Sequence, residues 1–248
     1  MKLLEVCVDS LESARQAYLG GADRLELCSA LAVGGLTPYT ALLRQIKTEC
    51  PLPVRCLMRP RAGDFCYRPH EISLMLRQIE ELREAGADGF VIGCLDPEGR
   101  LDDGFMKALI NACQGCGITL HRCIDVSRDP LETYAAAAEL GIDTVLTSGA
   151  AVNCAAGMDT IEKLLQLRDQ TYGPEVLIGA GVNASVIRTF REKLPQARAF
   201  HMSGSRDVES AMIFRRDGVP MGLPGLDEWH IRQTDMTAVQ LAKQALNA

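Results

Sequence analysis

The stretch Ala85-Gly86-Ala87-Asp88-Gly89-Phe90-Val91-Ile92 decides the fold. Before it, Glu71–Ala85 carries charges on one face and Ile72, Met75, Leu76, Ile79 and Leu82 on the other, the pattern of an amphipathic helix. Gly86 ends that helix, and Phe90–Cys94 is an apolar run of strand length. The same helix–Gly–Ala/Ile–Asp–strand junction recurs as Gly21-Ala22-Asp23 and as Gly141-Ile142-Asp143. The repeating unit is therefore one strand plus one helix, which calls for a parallel sheet covered by helices.

Outward from this junction the alternation runs end to end. Strands are expected at Leu3–Val8, Arg24–Cys28, Val54–Arg59, Phe90–Cys94, Ile118–Cys123, Thr144–Thr147, Val176–Ile178 and Ala199–Met202. Between and after them lie helical stretches at Leu11–Leu19, Pro38–Glu49, Glu71–Ala85, Asp103–Cys113, Pro130–Leu140, Met158–Asp169, Ala184–Lys193 and Met236–Leu246. Thr37 is placed to cap the second helix, with Pro38 at its first position. Eight such units in 248 residues favour closure into a single-domain (β/α)8 TIM barrel spanning 1–248. Ser205–Gln233 departs from the pattern. This Gly/Pro/Arg-rich insertion after strand eight is too long for a passive connection and reads as a lid or a subunit contact.

Composition narrows the function. Hydrophobic residues make up 47% and charged residues 23% of the chain, as in ordinary globular proteins. The net charge of -6 offers no general attraction to nucleic acid or to an anionic membrane surface. No apolar run approaches the roughly 20 residues of a membrane span. Met1-Lys2-Leu3-Leu4-Glu5-Val6 reads as a strand rather than a secretion signal, so a cytoplasmic location is expected. Ten cysteines are then read as reduced thiols, most of them small core residues. Cys113-Gln114-Gly115-Cys116 has no second pair with which to build a tetrahedral zinc site.

Polar residues in or just beyond the strands are the informative ones, because an unpartnered buried charge is costly. Side chains alternate along a strand, so Glu5 shares a face with Cys7, Glu26 with Cys28, and Thr119 with His121 and Cys123. If those faces point inward, Glu5, Glu26, Arg59, His121 and His201 meet inside the barrel. Arg24, Arg122, Asp125 and Ser148 stand near them in the strand pattern. Such a set supports general acid–base chemistry on an anionic small molecule, or else forms a self-neutralising polar network.

The stretch Arg59-Pro60-Arg61-Ala62-Gly63-Asp64-Phe65 follows strand three, at the sheet end where ligands bind in parallel folds. Arg59 and Arg61 either hold a carboxylate or phosphate, or Arg59 and Asp64 form an ion pair that pins the loop. Gly179-Ala180-Gly181 before a helix, with Ser203 and Ser205 nearby, fits the anion site that barrels build after strands seven and eight. Cys7 and Cys28 sit near the ends of adjacent strands about 4.8 Å apart. They are either a soft thiol pair suited to Cu(I), with Met58 and Met202 as thioethers in reach, or two small core residues.

Taken together, Glu5-Val6-Cys7-Val8-Asp9-Ser10, Gly21-Ala22-Asp23-Arg24-Leu25-Glu26-Leu27-Cys28, Gly34-Gly35-Leu36-Thr37-Pro38, the Arg59–Tyr67 stretch, His121-Arg122, Leu146-Thr147-Ser148-Gly149 and His201-Met202-Ser203 resemble the CutC family of copper homeostasis proteins. Ala62 stands where that family commonly has glycine. The resemblance covers nearly the whole chain. It implies a cytosolic TIM barrel assembled as a homo-oligomer (dimer or tetramer), and a Cu(I)-binding role in which the family's two cysteines fall on Cys7 and Cys28. No organic cofactor is expected. Copper storage alone does not call for Arg59, Arg61, Arg122, Glu26 and His121 at one barrel end. The other reading is an enzyme on a small phosphorylated or carboxylated substrate. In it Arg59 and Arg61 hold the anion, His121 and Glu26 exchange protons, His201 assists, and the Gly181 turn seats phosphate.

Overall fold

The computed structural model describes residues 2–248 apart from 217, 224 and 226. Strands β1 (Leu3–Val8), β2 (Arg24–Leu27), β3 (Val54–Leu57), β4 (Gly89–Ile92), β5 (Gly117–Leu120), β6 (Thr144–Thr147), β7 (Glu175–Ile178) and β8 (Ala199–Met202) form a closed barrel in sequence order. β8 closes it by pairing in parallel with β1, Glu5 opposite His201. Helices α1 (Leu11–Leu19), α2 (Thr40–Glu49), α3 (Pro69–Glu84), α4 (Asp103–Cys113), α5 (Pro130–Glu139), α6 (Met158–Thr171), α7 (Ala184–Lys193) and α8 (Met236–Asn247) surround it. The chain is a TIM barrel. Its main apolar core lies between barrel and helices, with Leu4, Val6, Leu25, Phe90 and Phe200 fully buried there.

The repeated junction has a direct structural cause. Gly21, Gly86 and Gly141 all hold left-handed backbone, which lets the chain leave a helix and turn into the next strand. The aspartate that follows then clamps the preceding strand. Asp23 accepts the Leu4 N–H (2.7 Å), Asp88 that of Val54 (2.7 Å) and Asp143 that of Ile118. Each of the three aspartates also donates its own N–H to the carbonyl of the same residue. Strands are thereby tied in pairs, β1 to β2, β3 to β4 and β5 to β6. Before β8 the corresponding place is taken by Arg198, which pairs with Glu175 of β7 instead (2.6 Å).

Several boundaries differ from expectation. Regular strand ends at Leu27, Leu57, Ile92 and Leu120, so Cys28, Arg59 and Cys94 sit on the loop bases and Cys123 in a short 3-10 helix, Arg122–Val126. Thr37 does not cap α2, which starts at Thr40 after Tyr39. The segment before it stays extended because Leu36 pairs with Ser29, and the Thr37 hydroxyl instead accepts the Arg59 N–H (3.0 Å). α3 starts earlier than expected, at Pro69, and the Glu71 carboxylate accepts the Arg68 N–H to finish its first turn. The insertion 205–233 is not a plain loop. Ser205–Glu209 (β9) and His230–Thr234 (β10) form an antiparallel hairpin anchored to the barrel by Thr234 and Asp235, which reach Ser13, Ser203 and Gly204. No helix among the described residues is long and apolar enough to cross a membrane.

Candidate functional site

Strand parity directs a polar stack into the barrel. Lowest lies a cationic layer. Arg24 donates to Glu5 (2.5 Å), while Arg55 donates to Thr119 (2.7 Å) and pairs with Asp143 (2.8 Å). Arg55 crosses the lumen over two glycines. A Cβ on Gly117 would come within 2.4 Å of its guanidinium, and one on Gly89 within 2.8 Å of its Cγ. This residue was not singled out from the sequence, although it shares a strand face with Leu57 and Arg59.

Above it Glu5 is fully buried and serves as a relay between Arg24 and His201, whose Nδ1 lies 2.8 Å from Glu5 Oε1. Burial works against the Glu5 carboxylate, but Arg24 and His201 outweigh it and bring its pKa down to about 2. Glu26 on the neighbouring strand shifts upward, through burial and the proximity of Glu5. His201 lies between the two carboxylates, with Nε2 3.8 Å from Glu26. Burial pulls its pKa down, yet Cys7, Glu26 and Glu5 hold it well above the usual imidazole range, so the ring is an imidazolium at neutral pH.

Cys7 Sγ, a Glu26 oxygen and a His201 nitrogen lie within 4.8 Å of one another, all three residues buried. One thiol, one imidazole and one carboxylate make a mixed donor set, and sulfur with nitrogen suits a soft to borderline cation. Cys28 is adjacent rather than convergent. It packs with Cys7, Leu57 and Val91, and its thiol donates to Glu26 (3.5 Å), which leaves burial and Glu26 to raise its pKa well above the usual thiol value. Met58 is not a lumenal donor, since it lies in the outer core under the helices.

The upper wall holds Arg59 and His121. Arg59 Nη1 donates to the carbonyls of Val33 (3.0 Å) and Gly35 (3.1 Å), and Nη2 to that of Gly63 (3.0 Å). It therefore laces together the loops after β2 and β3 rather than pairing with Asp64. Asp64 binds Arg61 (2.9 Å), which also binds Glu71 (2.7 Å) and lies outside the cavity. His121 takes the Cys123 N–H at Nδ1 (3.2 Å) and stacks 4.7 Å from Phe65. Burial, then the Arg59 charge, lower its pKa to about 3, so the ring is neutral and its proton resides on Nε2. That Nε2 and Arg59 Nε are buried without a hydrogen-bond partner.

Asp125 is saturated. It accepts from Thr147, from the backbone N–H groups of Ser148 and Ala150, from the Ser148 hydroxyl and from Arg122 (2.7 Å). Asp125 and buried Ser148 thus shape the turn after β6 and orient Arg122. A Cβ on Gly179 would meet the end of the Leu146 side chain at 2.6 Å, so a larger residue there would have to displace it. Ala180 and Gly181 both hold left-handed backbone. The start of α7 is a weaker anion seat than expected, since Asn183 already takes the Ser185 and Val186 N–H groups.

These elements enclose a cavity of about 980 Å³ at the C-terminal end of the barrel. Cys7, Glu26, Arg59, His121, Arg122, Asp125, Gly181, His201 and Ser203 line it, and Arg24, Arg61, Asp64 and Cys28 do not. Arg232, Gln233 and Thr234 of the hairpin supply one wall. The sequence reading missed these because it treated the insertion as loop.

The family model described as "CutC family" matches residues 2–205. A CutC family protein of Erwinia tasmaniensis is 39% identical over 249 aligned positions, covering 100% of this chain and 97% of that protein. The human copper homeostasis protein cutC homolog is 37% identical, over 96% of this chain and 86% of its own length. A CutC crystal structure from Streptococcus agalactiae superposes with a TM-score of 0.76 at 25% identity, covering 82% of this chain and 99% of that one. With its barrel, its motifs and its full-length relatives in agreement, the chain belongs to the CutC family.

Proposed function

We propose that this protein binds Cu(I) inside its barrel as part of copper homeostasis. Cys7 Sγ and His201 Nε2 are the main donors, with the Cys28 thiol and the Glu26 carboxylate beside them. The convergence of Cys7, Glu26 and His201 within 4.8 Å carries this reading. Thiolate and imidazole are the donors a soft cation prefers, and the glutamates offset its charge. The test is an anaerobic Cu(I) titration against a competing chelator. Cys7→Ser and His201→Gln should each lose tight binding, and Cys28→Ser should weaken it less. Unchanged affinity in the Cys7→Ser/Cys28→Ser double variant would sink the proposal. In this reading the protein works in the cytoplasm as a homo-oligomer, dimer or tetramer.

A second reading is favoured by the cavity itself. A space of about 980 Å³ lies at the upper end of the range for small-molecule sites and far exceeds what one ion needs. In this reading the barrel acts on a small phosphorylated or carboxylated molecule, with Glu26 and His201 exchanging protons at its floor. Neutral His121 is a hydrogen-bond donor rather than a base.

A further inference from the structure

The insertion meets the barrel at the mouth of the cavity, where Arg232, Gln233 and Thr234 line it. The two arginines that the sequence pointed to are unavailable there: Arg59 is committed to three loop carbonyls and Arg61 to Asp64 and Glu71. Two other guanidiniums border the opening. Arg122 is 45% exposed and is aimed by its bonds to Asp125 and to the Ser148 hydroxyl (2.9 Å). Arg232, on β10 of the hairpin, is 68% exposed and only loosely paired with its cross-strand neighbour Asp207 (3.6 Å). Both line the same cavity.

Deeper in that cavity, His121 Nε2 and Arg59 Nε are N–H donors buried without partners, in residues only 4% and 9% exposed. Neither atom has accessible surface as it stands, but an orphaned buried donor costs roughly 1–3 kcal/mol, so a small turn of either side chain onto a ligand's acceptor oxygen is favoured. Three carboxylates also face the space: Asp125 is saturated by its donors, Glu26 lies at the floor 3.8 Å from His201, and Asp9 accepts the Leu31 N–H (3.4 Å).

We propose that the cavity binds a small two-ended oxyanion, one anionic group clamped at the mouth between Arg122 and Arg232 and a second acceptor group against His121 Nε2 and Arg59 Nε. The β9–β10 hairpin is then part of the binding site. The CutC family model ends at residue 205, where the hairpin begins, so Arg232 is supplied by a part of the chain beyond the matched region. The proposal rests on the small-molecule reading of the cavity and is independent of copper.

Calorimetric titration with phosphoglycolate, which carries a carboxylate and a phosphate at opposite ends, tests it beside inorganic phosphate. The wild-type protein should bind phosphoglycolate more tightly than phosphate. Arg232→Ala and Arg122→Ala should each weaken phosphoglycolate roughly tenfold or more, and Arg232→Glu should abolish binding. His121→Phe, which keeps the ring and removes the donor, should erase the advantage of phosphoglycolate over phosphate. Cu(I) affinity should be the same in Arg232→Ala as in wild type, which also reports that the variant is folded. Binding that is indifferent to Arg232→Ala and Arg232→Glu overturns the clamp and leaves the small-molecule reading in place. No binding of either probe by the wild type overturns both.

Discussion

His121 and His201 are two imidazoles in one cavity held in opposite charge states. His121 is neutral because burial and Arg59 disfavour its cation, and His201 is charged because Glu5, Glu26 and Cys7 outweigh its burial. The consequences for stability have opposite signs. His121 binds a proton in the unfolded chain near 6.5 but in the folded chain only near 3, so falling pH favours unfolding through that window. At pH 4 its share is about 3 kcal/mol, and His121→Phe should flatten the loss of stability between pH 6.5 and 4 in denaturant titrations. His201 acts the other way: its contribution is full below the ordinary imidazole value and fades as pH rises through its raised one. Copper inherits this, because a metal at Nε2 must displace a proton. Cu(I) affinity should therefore rise with pH across the neutral range, and Glu5→Gln, by easing that proton off, should flatten the dependence. A flat profile in the wild type would exclude His201 as a ligand. The positions of these residues inside the barrel were legible from strand parity alone. Their charge states were not, since they depend on neighbours contributed by β1, β2 and β8 and by the loop after β3.

At the scale of elements, the Gly–Ala/Ile–Asp junction told most about the barrel, and the clamp explains why. Asp88→Ala removes a charged acceptor from the Val54 N–H and should cost about 2 kcal/mol in chemical denaturation. It should also raise hydrogen exchange at Val54 more than at residues in β7, where no such aspartate acts. The hairpin was illegible for the opposite reason. Ser205–Glu209 and His230–Thr234 are short, polar and mostly exposed, so neither shows the alternation that marks a half-buried strand. Their pairing spans residues far apart in the chain, and only the assembled structure brings Arg232 to the cavity. Thr37 misled in a similar way. It has the chemistry of a helix cap, but the tertiary demand of the Arg59 N–H took its hydroxyl first.

For the whole molecule, the connection between the hairpin strands carries an unusual amount of exposed apolar surface. Ile213 is 100% exposed, Met221 79% and Phe214 67%. Exposed apolar side chains gathered on one segment are candidates for an association surface. If the proposed homo-oligomer forms through this segment, Phe214→Glu with Ile213→Glu should lower the mass measured by light scattering to that of a single chain. An unchanged mass would move the subunit contact elsewhere.

The pairwise clamps at the other end of the barrel say where this chain can be divided. A break between Cys50 and Pro51 falls between one clamped pair and the next, leaving Asp23 joined to both of the strands it serves. A break between Gly21 and Ala22 severs β1 from the aspartate that holds it. Two co-expressed fragments from the first cut should reassemble into a copper-binding particle, and those from the second should do so poorly or not at all. The protein can then be treated as a set of exchangeable two-strand cassettes, separable at alternate connections.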